Sequence, residues 1–441
     1  MTSINIKDVP YVFKRIIFRP LKRDGKTIYP IGMQASNFFA NYNMHAPQKV
    51  VGKGCNGQVS IVDNTRVASK RLFGEGIANN HDSLREVKAL QALEINGIAD
   101  KSIQWGQYAF KNSNGDMYVV SSIASGAKPD IIKNELTPQN MSDLLRAISI
   151  LDKPDRYWNM KKPYFTPKGI SLLQHNDLKP GNVLVSPKSA SIIDFEYLDF
   201  ININSKKINK NWGIICNHSD IMGIPSNLRN LEYRTLLPYL FELDKSKAQK
   251  VFREYLQQKS KYYERMNQNY IETTAQLSSL NPFYLLAKNF STKGKLENIA
   301  QKQLIHAQVL KNPSEDVIRA EAMKIQISRY IYLLSTHSHG AKTEVNLSQI
   351  KNYIQNASKI FEEKSQILSG LQKEYFQDCA NLLKSWKKII PIIDERSMKK
   401  HLDYYRDISG VSDNAGAQNA NQLIPTTFTD KLLPTLDKLV V

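Results

Sequence analysis

Short apolar stretches separated by polar turns mark the first half of this chain, and they predict β-strands. Such stretches lie at residues 59–62, 67–70, 117–123, 183–185 and 191–193. Stretches of this length, rich in Val and Ile and bounded by turn residues, are typical of strands. The last two are separated by Ser186, Pro187, Lys188 and Ser189. We therefore expect them to form a hairpin that ends beside Asp194.

Beyond residue 225 the apolar positions recur at helical spacing instead. They predict helices over residues 236–241, 251–255, 304–310 and 317–334. Asn312, Pro313 and Ser314 form a start signal for the last of these. Residues 348–390 carry two apolar stripes on either side of Gly370. This pattern predicts a long helical hairpin with its turn at the glycine.

A glycine pattern at the first strand pair suggests a phosphate-binding hairpin. Gly52, Gly54 and Gly57 are followed by Val59 in a G-x-G-x-x-G-x-V arrangement. Glycines let a backbone approach phosphates that side chains would obstruct. A dinucleotide-binding turn would run directly into a helix. Here a second strand follows, and the next strand ends on Lys70, which is suited to pairing with nucleotide phosphates.

Sixteen residues after Lys70, Glu86 lies in a predicted helix with Asp82 or Ser83 as its N-cap. A helical Glu at this position can orient Lys70 through an ion pair. A solvated surface Glu is the alternative interpretation.

Three polar residues downstream have the spacing that phosphoryl transfer from ATP requires. Asp177 is followed five residues later by Asn182 and seventeen residues later by Asp194. One Asp can accept or orient the incoming hydroxyl, while an Asn and a second Asp hold the metal ions that bridge the phosphates. A polar turn between two core strands is the alternative.

Together these motifs resemble the protein-kinase-like superfamily over roughly residues 45–225. The resemblance implies ATP as co-substrate, Mg or Mn as metal, Asp177 as catalytic base and Lys179 as the cation that neutralises charge on the transferring phosphate. It further implies that Asn182 and Asp194 bind metal. By the same resemblance Gly52, Gly54, Gly57, Val59, Lys70 and Glu86 would form the ATP-binding set.

The chain also departs from the usual pattern of that superfamily. Asn176 stands where an Arg commonly precedes the catalytic Asp, and Glu196 replaces the glycine of D-F-G. Both features resemble choline-kinase-like and aminoglycoside-phosphotransferase-like enzymes, whereas Lys179 with Pro180 resembles protein kinases. No A-P-E follows. Asp220 is then either the buried Asp of the helix that supports the catalytic loop or a simple helix cap.

The resemblance implies an α+β, bilobal, protein-kinase-like fold with a small β-rich N-lobe and a helical C-lobe. We expect a basic N-terminal extension at residues 1–44, an N-lobe at 45–125 and a C-lobe at 126–341. A further helical module is predicted at residues 342–441, with membrane binding, partner binding or pure scaffolding as its role.

Charge and composition narrow the choice of partners. The chain has 441 residues and a formal net charge of +19, and almost all of the excess lies before residue 342. This field attracts anions such as acidic lipids or phosphorylated small molecules, although scattered solvated lysines explain charge equally well. No nucleic-acid-binding motif accompanies the charge, so nucleic acid is not expected. The sequence gives no prediction of oligomeric state.

Other features bear on compartment and ligands. No apolar run is long enough to span a bilayer and the first residues lack a signal core, so we expect a protein without a membrane span or standard secretory signal. Cys55, Cys216 and Cys379 are widely spaced and indicate a reducing compartment. His337 and His339 form either a metal-binding pair or a polar loop.

The cationic residues suggest two kinds of anionic ligand, a membrane surface and a soluble polyanion. Trp386, Lys387 and Lys388 combine an indole with cations as interfacial membrane segments do. An inositol polyphosphate is a candidate soluble polyanion activator, because it can bridge several Lys and Arg residues.

We therefore expect an ATP-dependent kinase acting on a lipid or small molecule, with phosphatidylinositol or a phosphoinositide as the leading acceptor and peripheral contact with anionic membranes. A protein Ser/Thr kinase and a kinase-like binding scaffold are the alternatives. The composition and the added helical module resemble effectors that bacterial pathogens secrete into the host cytosol by a non-standard route; a cytoplasmic protein is the other possibility.

Overall fold

A computed structural model describes residues 18–23, 25–32, 48–53, 57–62, 67–72, 84–112, 114–124, 126, 136–158, 170–203, 225–278, 288–336 and 347–389. The described chain is α+β, with its strands mostly in the N-terminal part and its long helices in the C-terminal part, which confirms the coarse fold class. The chain divides into two compact units. The first holds residues 1–135, 156–169 and 181–200, and the second holds residues 136–155, 170–180 and 201–441. The four segment boundaries expected from the sequence stay predictions.

The first unit is built on one antiparallel sheet. Seven strands of the described chain line up in the order β1-β2-β6-β7-β5-β4-β3. Their bounds are β1 Leu21–Arg23, β2 Lys26–Pro30, β3 Gln48–Lys53, β4 Gly57–Val62, β5 Val67–Leu72, β6 Gly106–Lys111 and β7 Met117–Ser122. The strands expected from residues 59–62, 67–70 and 117–123 are confirmed.

One helix, α1 (Arg85–Ile95), packs against this sheet. Its Gln91 side chain donates to the carbonyl of Pro30 over 2.7 Å. A Cβ at Gly106 would lie 2.9 Å from Leu90 Cδ1, so only glycine allows the helix to approach β6 this closely. The N-cap of α1 is Leu84, which makes no side-chain capping bond, and the expected caps Asp82 and Ser83 lie outside the described residues.

The hairpin expected around Pro187 is also present in the first unit. Strands β9 (Val183–Ser186) and β10 (Ser189–Ile192) pair antiparallel. The hairpin docks on the segment before β6, since Ile192 N–H donates to Ser102 O over 2.7 Å and Gln104 N–H donates to Ile192 O over 3.0 Å. This docking attaches the end of the hairpin to the main sheet.

The second unit is mainly helical. Its short strand β8 (Ser171–Gln174) pairs with β11 (Asp199–Asn202), whose last residues belong to the same unit. The helices are α2 Pro138–Leu151, α3 Ser226–Leu231, α4 Leu237–Glu242, α5 Lys245–Ser278, α6 Lys288–Lys311, α7 Glu315–Thr336, α8 Leu347–Ile367 and α9 Gly370–Ile389. A π-helical turn, Glu232–Leu236, joins α3 to α4. The expected helical hairpin turning near Gly370 is confirmed.

The apolar stripes of α8 and α9 form the core of this hairpin. Ile354 and Phe361 are buried on α8, and Tyr375, Cys379 and Trp386 are buried on α9. Because the indole of Trp386 is fully buried, it does not face a membrane in this fold, and that argument for an interfacial segment is lost. No helix in the described part of the chain is both long enough and apolar enough to cross a bilayer.

Candidate phosphoryl-transfer site

Lys70 is the centre of the charged cluster in the first unit. Strand β5 places it between Val59 of β4 and Val119 of β7. The alternating strand geometry puts Lys70 on the face opposite Val67 and Ser69, which are buried. Its Nζ lies 2.7 Å from Glu86 Oε2 and 2.9 Å from Asp194 Oδ1. The predicted pairing of Lys70 with Glu86 is therefore present, and Asp194 completes it.

Burial and ion pairing have opposite effects on the pKa values in this cluster. Burial alone would lower the pKa of Lys70, but the carboxylates of Glu86 and Asp194 outweigh burial and raise the pKa above its usual value. The pKa of the Glu86 carboxyl is raised because burial outweighs the attraction of Lys70. Lys70 is thus a permanent cation whose position is fixed by a helix and by a hairpin.

Asp194 sits in an unusual backbone conformation at the end of β10. Its φ of 66° and ψ of 62° fall in the left-handed region that non-glycine residues seldom adopt. Gln104 holds it there, since its Oε1 accepts from Asp194 N–H over 3.0 Å while its Nε2 donates to Ser121 Oγ on β7 over 3.0 Å. Backbone strain of this kind is concentrated at functional sites. Sequence reasoning missed Gln104, which no motif marks.

Asn182 lies at the other end of the same hairpin. Its carbonyl accepts from Ile193 N–H over 3.0 Å, so the residue before Asp194 is bonded directly to Asn182. Asn182 ends the short 3₁₀ turn Pro180–Asn182 and is buried. This bond joins the two ends of the hairpin, so Asn182 and Asp194 are held next to each other along the backbone.

Glu196 adds a third carboxylate that sequence reasoning did not use. Oxygen atoms of Glu86, Asp194 and Glu196 all lie within 4.8 Å of one another. Carboxylate oxygens are the ligands that Mg²⁺ and Mn²⁺ prefer, so the donor set fits a divalent cation. Asp194, at 30% side-chain exposure, is the member of this cluster open to solvent. A bound cation here would neutralise phosphate charge, while Lys70 and the hairpin hold its ligands.

The glycine positions have different structural roles. A Cβ at Gly57 would lie 2.6 Å from the carbonyl oxygen of Arg71, so the packing of the paired strands is enough to require glycine there. Gly52 has open space on its Cβ side, which suits close approach of a ligand. Gly54 lies outside the described residues.

Asp177 and Lys179 belong to the second unit, where a buried network supports the loop that carries them. Asn227 on α3 accepts from His175 N–H over 2.9 Å and donates to Leu173 O over 2.8 Å. It also donates to Asp152 Oδ1 over 2.8 Å, and Tyr262 donates to Asp152 Oδ2 over 2.9 Å. Asn227 therefore holds the backbone of this loop, while Asp220 lies outside the described residues.

The backbone of this loop explains one departure from the kinase pattern. Asn176 has φ 64°, in the left-handed region. Asn tolerates this region better than most residues do. Its Oδ1 accepts from Gln174 Nε2 over 2.6 Å, which holds the turn that precedes Asp177.

Two cations flank the carboxylate of Asp177. Lys179 Nζ lies 2.7 Å from Oδ2, and Arg234 Nη2 lies 3.6 Å from Oδ1. The Asp177 side chain is 21% exposed and Lys179 is 45% exposed, so both can meet a ligand. Arg234 comes from the π-helical turn, and no motif in the sequence indicates it.

A comparison with known protein families and with curated proteins found no match to this chain. The functional argument therefore depends on the motifs and on the geometry of each unit. His337, His339, Cys55 and Cys216 lie outside the described residues, while Cys379 is buried within the helical hairpin.

Proposed function

We propose that this chain is an ATP-dependent kinase with a protein-kinase-like, bilobal fold. One observation carries the proposal: a strand lysine, Lys70, is held between the helical Glu86 and the hairpin residue Asp194. Catalysis of phosphoryl transfer depends on positioned cations and metal ligands around the phosphates. This arrangement supplies both, and the glycine hairpin lies on the strands next to Lys70.

The roles follow from the chemistry of each side chain. Lys70 binds the α- and β-phosphates. Asn182 and Asp194 would hold the metal ion, with Glu196 as an additional oxygen donor. Asp177 accepts the proton of the acceptor hydroxyl, and Lys179 neutralises charge on the transferring phosphate. Mg²⁺ or Mn²⁺ supplies electrostatic stabilisation of the phosphates when bound.

The proposed acceptor is an anionic lipid headgroup such as phosphatidylinositol or a phosphoinositide. The net charge of +19 attracts acidic surfaces. The exposed cationic side chain of Lys179 beside Asp177 suits an acceptor that carries a phosphate near its hydroxyl.

The test uses the full chain with labelled ATP and either Mg²⁺ or Mn²⁺. Transfer is measured to vesicles containing phosphatidylinositol or phosphoinositides and, in parallel, to a Ser/Thr protein substrate. Asp177→Ala and Asp194→Ala should each abolish transfer while the melting temperature stays close to that of the parent. Asp199→Ala is the matched control, because Asp199 is exposed and follows the same hairpin.

Each result decides one part of the proposal. Near-normal turnover by folded Asp194→Ala would contradict the metal assignment. Transfer to protein but not to lipid would replace the acceptor by a Ser or Thr side chain. ATP binding without any transfer would favour a binding scaffold.

A further inference from the structure

The π-helical turn Glu232–Leu236 carries two charged side chains that point to different neighbours. Arg234 pairs with Asp177 on the loop proposed to be catalytic. Glu232, two residues earlier, is buried and pairs with Lys259 on α5. Residues two apart on a helical turn do not face each other, so this turn connects two separate environments. Turns of π type are rare and recur at functional sites.

The buried side of the turn belongs to an extended network of charges. Lys259 Nζ contacts Glu232 and lies 2.7 Å from Glu321 Oε2 on α7. Tyr255 donates to Glu232 Oε1 over 2.7 Å. Tyr375 of the C-terminal hairpin donates to Glu321 Oε1 over 2.6 Å. Every member of this network is fully or almost fully buried. Displacing one charged side chain would therefore leave its partner buried with one opposite charge fewer.

A second contact fixes the same turn from α7. Arg329 Nη1 donates to the carbonyl of Tyr233 over 3.4 Å. The residues on both sides of Tyr233 are therefore oriented, one toward the network and one toward Asp177. A continuous series of contacts leads from Tyr375 through Glu321, Lys259 and Glu232 to the turn that presents Arg234.

Arg234 and Lys179 engage different oxygens of Asp177. Lys179 contacts Oδ2 and Arg234 faces Oδ1. Lys179 is 45% exposed on a flexible stem, whereas Arg234 is 17% exposed and comes from a turn fixed on its other side. Arg234 is therefore the more firmly held of the two partners, and its charge attracts Oδ1 from a fixed direction.

We propose that Arg234 is a positioning residue for Asp177, and that the buried network of Lys259, Glu232, Glu321 and Tyr375 holds Arg234 in place. The C-terminal hairpin is then needed for turnover through Tyr375. The proposal rests on the proposed function, because it assigns Asp177 as the base. Local order around Asp177 tests the positioning separately from activity.

The first experiment compares Arg234→Gln and Arg234→Lys with Arg253→Gln in the full chain. Arg253 is a half-exposed arginine on α5 paired with Glu315, and it serves as the matched control. Arg234→Gln should lower kcat at least tenfold and leave KM for ATP within twofold, since the proposed ATP ligands are unchanged. Arg234→Lys should recover much of kcat. A folded Arg234→Gln protein with the same kcat as the parent would overturn the proposal.

Hydrogen exchange of peptides covering residues 175–182 gives a readout that needs no activity. Arg234→Gln should speed exchange there severalfold, and Arg253→Gln should leave it unchanged. If the parent protein transfers no phosphate but Arg234→Gln shows this faster exchange, the kinase proposal fails and the positioning contact stands. Unchanged exchange in Arg234→Gln would overturn the positioning role.

A double-mutant cycle tests the network. Glu232→Gln should lower kcat severalfold, and adding it to Arg234→Gln should cost nothing further, because both act through one contact. Independent effects that multiply would overturn the coupling. If Glu232→Gln fails to fold, Tyr375→Phe repeats the test, because it removes one hydroxyl without changing the ring. A Tyr375→Phe protein with the kcat and the hydrogen exchange of the parent would show that the C-terminal hairpin has no part in positioning Arg234.

Discussion

Two lysines in this chain have nearly the same immediate surroundings, and they differ in what surrounds the ion pairs. Lys70 bridges Glu86 and Asp194 in the first unit, and Lys259 bridges Glu232 and Glu321 in the second. In both clusters the carboxylates outweigh burial and raise the pKa of the lysine. In each cluster, ion pairs between one lysine and two carboxylates therefore connect three structural elements.

Exposure separates the two clusters. Lys70 and Asp194 are 16% and 30% exposed, whereas Lys259 and its two carboxylates are at most 3% exposed. A cluster that solvent reaches can exchange one partner for a phosphate or a cation. A sealed cluster cannot, so its ions only fix the helices that carry them. The comparison indicates that solvent access, and not ion pairing, distinguishes the lysine that we propose binds phosphate.

The largest effect expected from breaking this comparison is on activity at Lys70. Lys70→Met should reduce kcat/KM for ATP roughly a thousandfold, about 4 kcal/mol of transition-state stabilisation, because the phosphates lose their fixed cation. Calorimetry should show weaker ATP binding. Lys49→Met, an exposed lysine on β3, is the control and should behave as the parent. Normal kcat/KM in Lys70→Met would contradict the assignment of the ATP site.

The sealed cluster should respond through stability. Lys259→Met leaves Glu232 and Glu321 buried with one cation fewer, which typically costs about 3–5 kcal/mol. Urea unfolding measures this loss. Lys261→Met changes an exposed lysine on the same helix and should cost little. A Lys259→Met protein as stable as Lys261→Met would show that the buried charges contribute nothing to the fold.

The difference between the clusters also explains what the sequence could predict. Lys70, Asn182 and Asp194 stand at motif spacings. The structure places Lys70 on the predicted strand β5, and Asn182 and Asp194 flank the predicted hairpin of β9 and β10. The place of Glu196 beside Glu86 and Asp194, and the contact of Gln104 with Asp194, were not predicted, because both depend on where a turn and a loop meet the sheet. Motif spacing carries no such information.

The Lys259 cluster was missed for another reason. A lysine on a long helix is usually solvated, and nothing nearby in sequence reveals its partners on other helices. One signal was present, since Tyr255, Lys259, Tyr263 and Met266 follow helical spacing and all four are buried. A charge within an apolar stripe predicts burial but not the identity of its partner, which depends on how α5 packs on α7.

Asp152 is a buried carboxyl whose hydrogen-bond donors are neutral, and it shows what burial does to a pKa when no lysine is the donor. Among the described residues, Asp152 is hydrogen-bonded by Asn227 and Tyr262, both neutral. Burial raises its pKa to about 7 and these hydrogen bonds offset burial only in part. Glu321 shows the opposite result, because Lys259 and Lys324 outweigh burial and hold its pKa well below the usual range.

The raised pKa of Asp152 makes stability depend on pH. Between about pH 4 and pH 7 the folded carboxyl keeps a proton that the unfolded chain has released, so stability falls as pH rises through this window, by up to about 1.4 kcal/mol per unit. Below and above the window the contribution is constant. Asp152→Asn should remove this dependence, which urea unfolding at pH 5 and pH 8 can measure against the parent. The same pH dependence in both proteins would contradict the buried acid.

The smallest effect is expected at an ion pair beside Lys70 that lies mostly in water. Arg71 follows Lys70 on β5, and its Nη2 lies 3.2 Å from Asp116 Oδ2 and 3.3 Å from Oδ1. The Arg71 side chain is 50% exposed. Asn112 also bonds Asp116, with its Oδ1 accepting from Asp116 N–H over 2.8 Å, so the turn between β6 and β7 keeps its own support.

Because water screens this pair, Arg71→Gln should cost at most about 0.5–1 kcal/mol in free energy of unfolding. The difference from the parent should shrink in 1 M salt, where charges are screened within about 3 Å. Urea unfolding at low and high salt measures both. A loss as large as that of Lys259→Met, or one that salt leaves unchanged, would mean that pairing itself sets the energy of these clusters. An effect that is small and falls with salt would support exposure as the property that separates the two lysines.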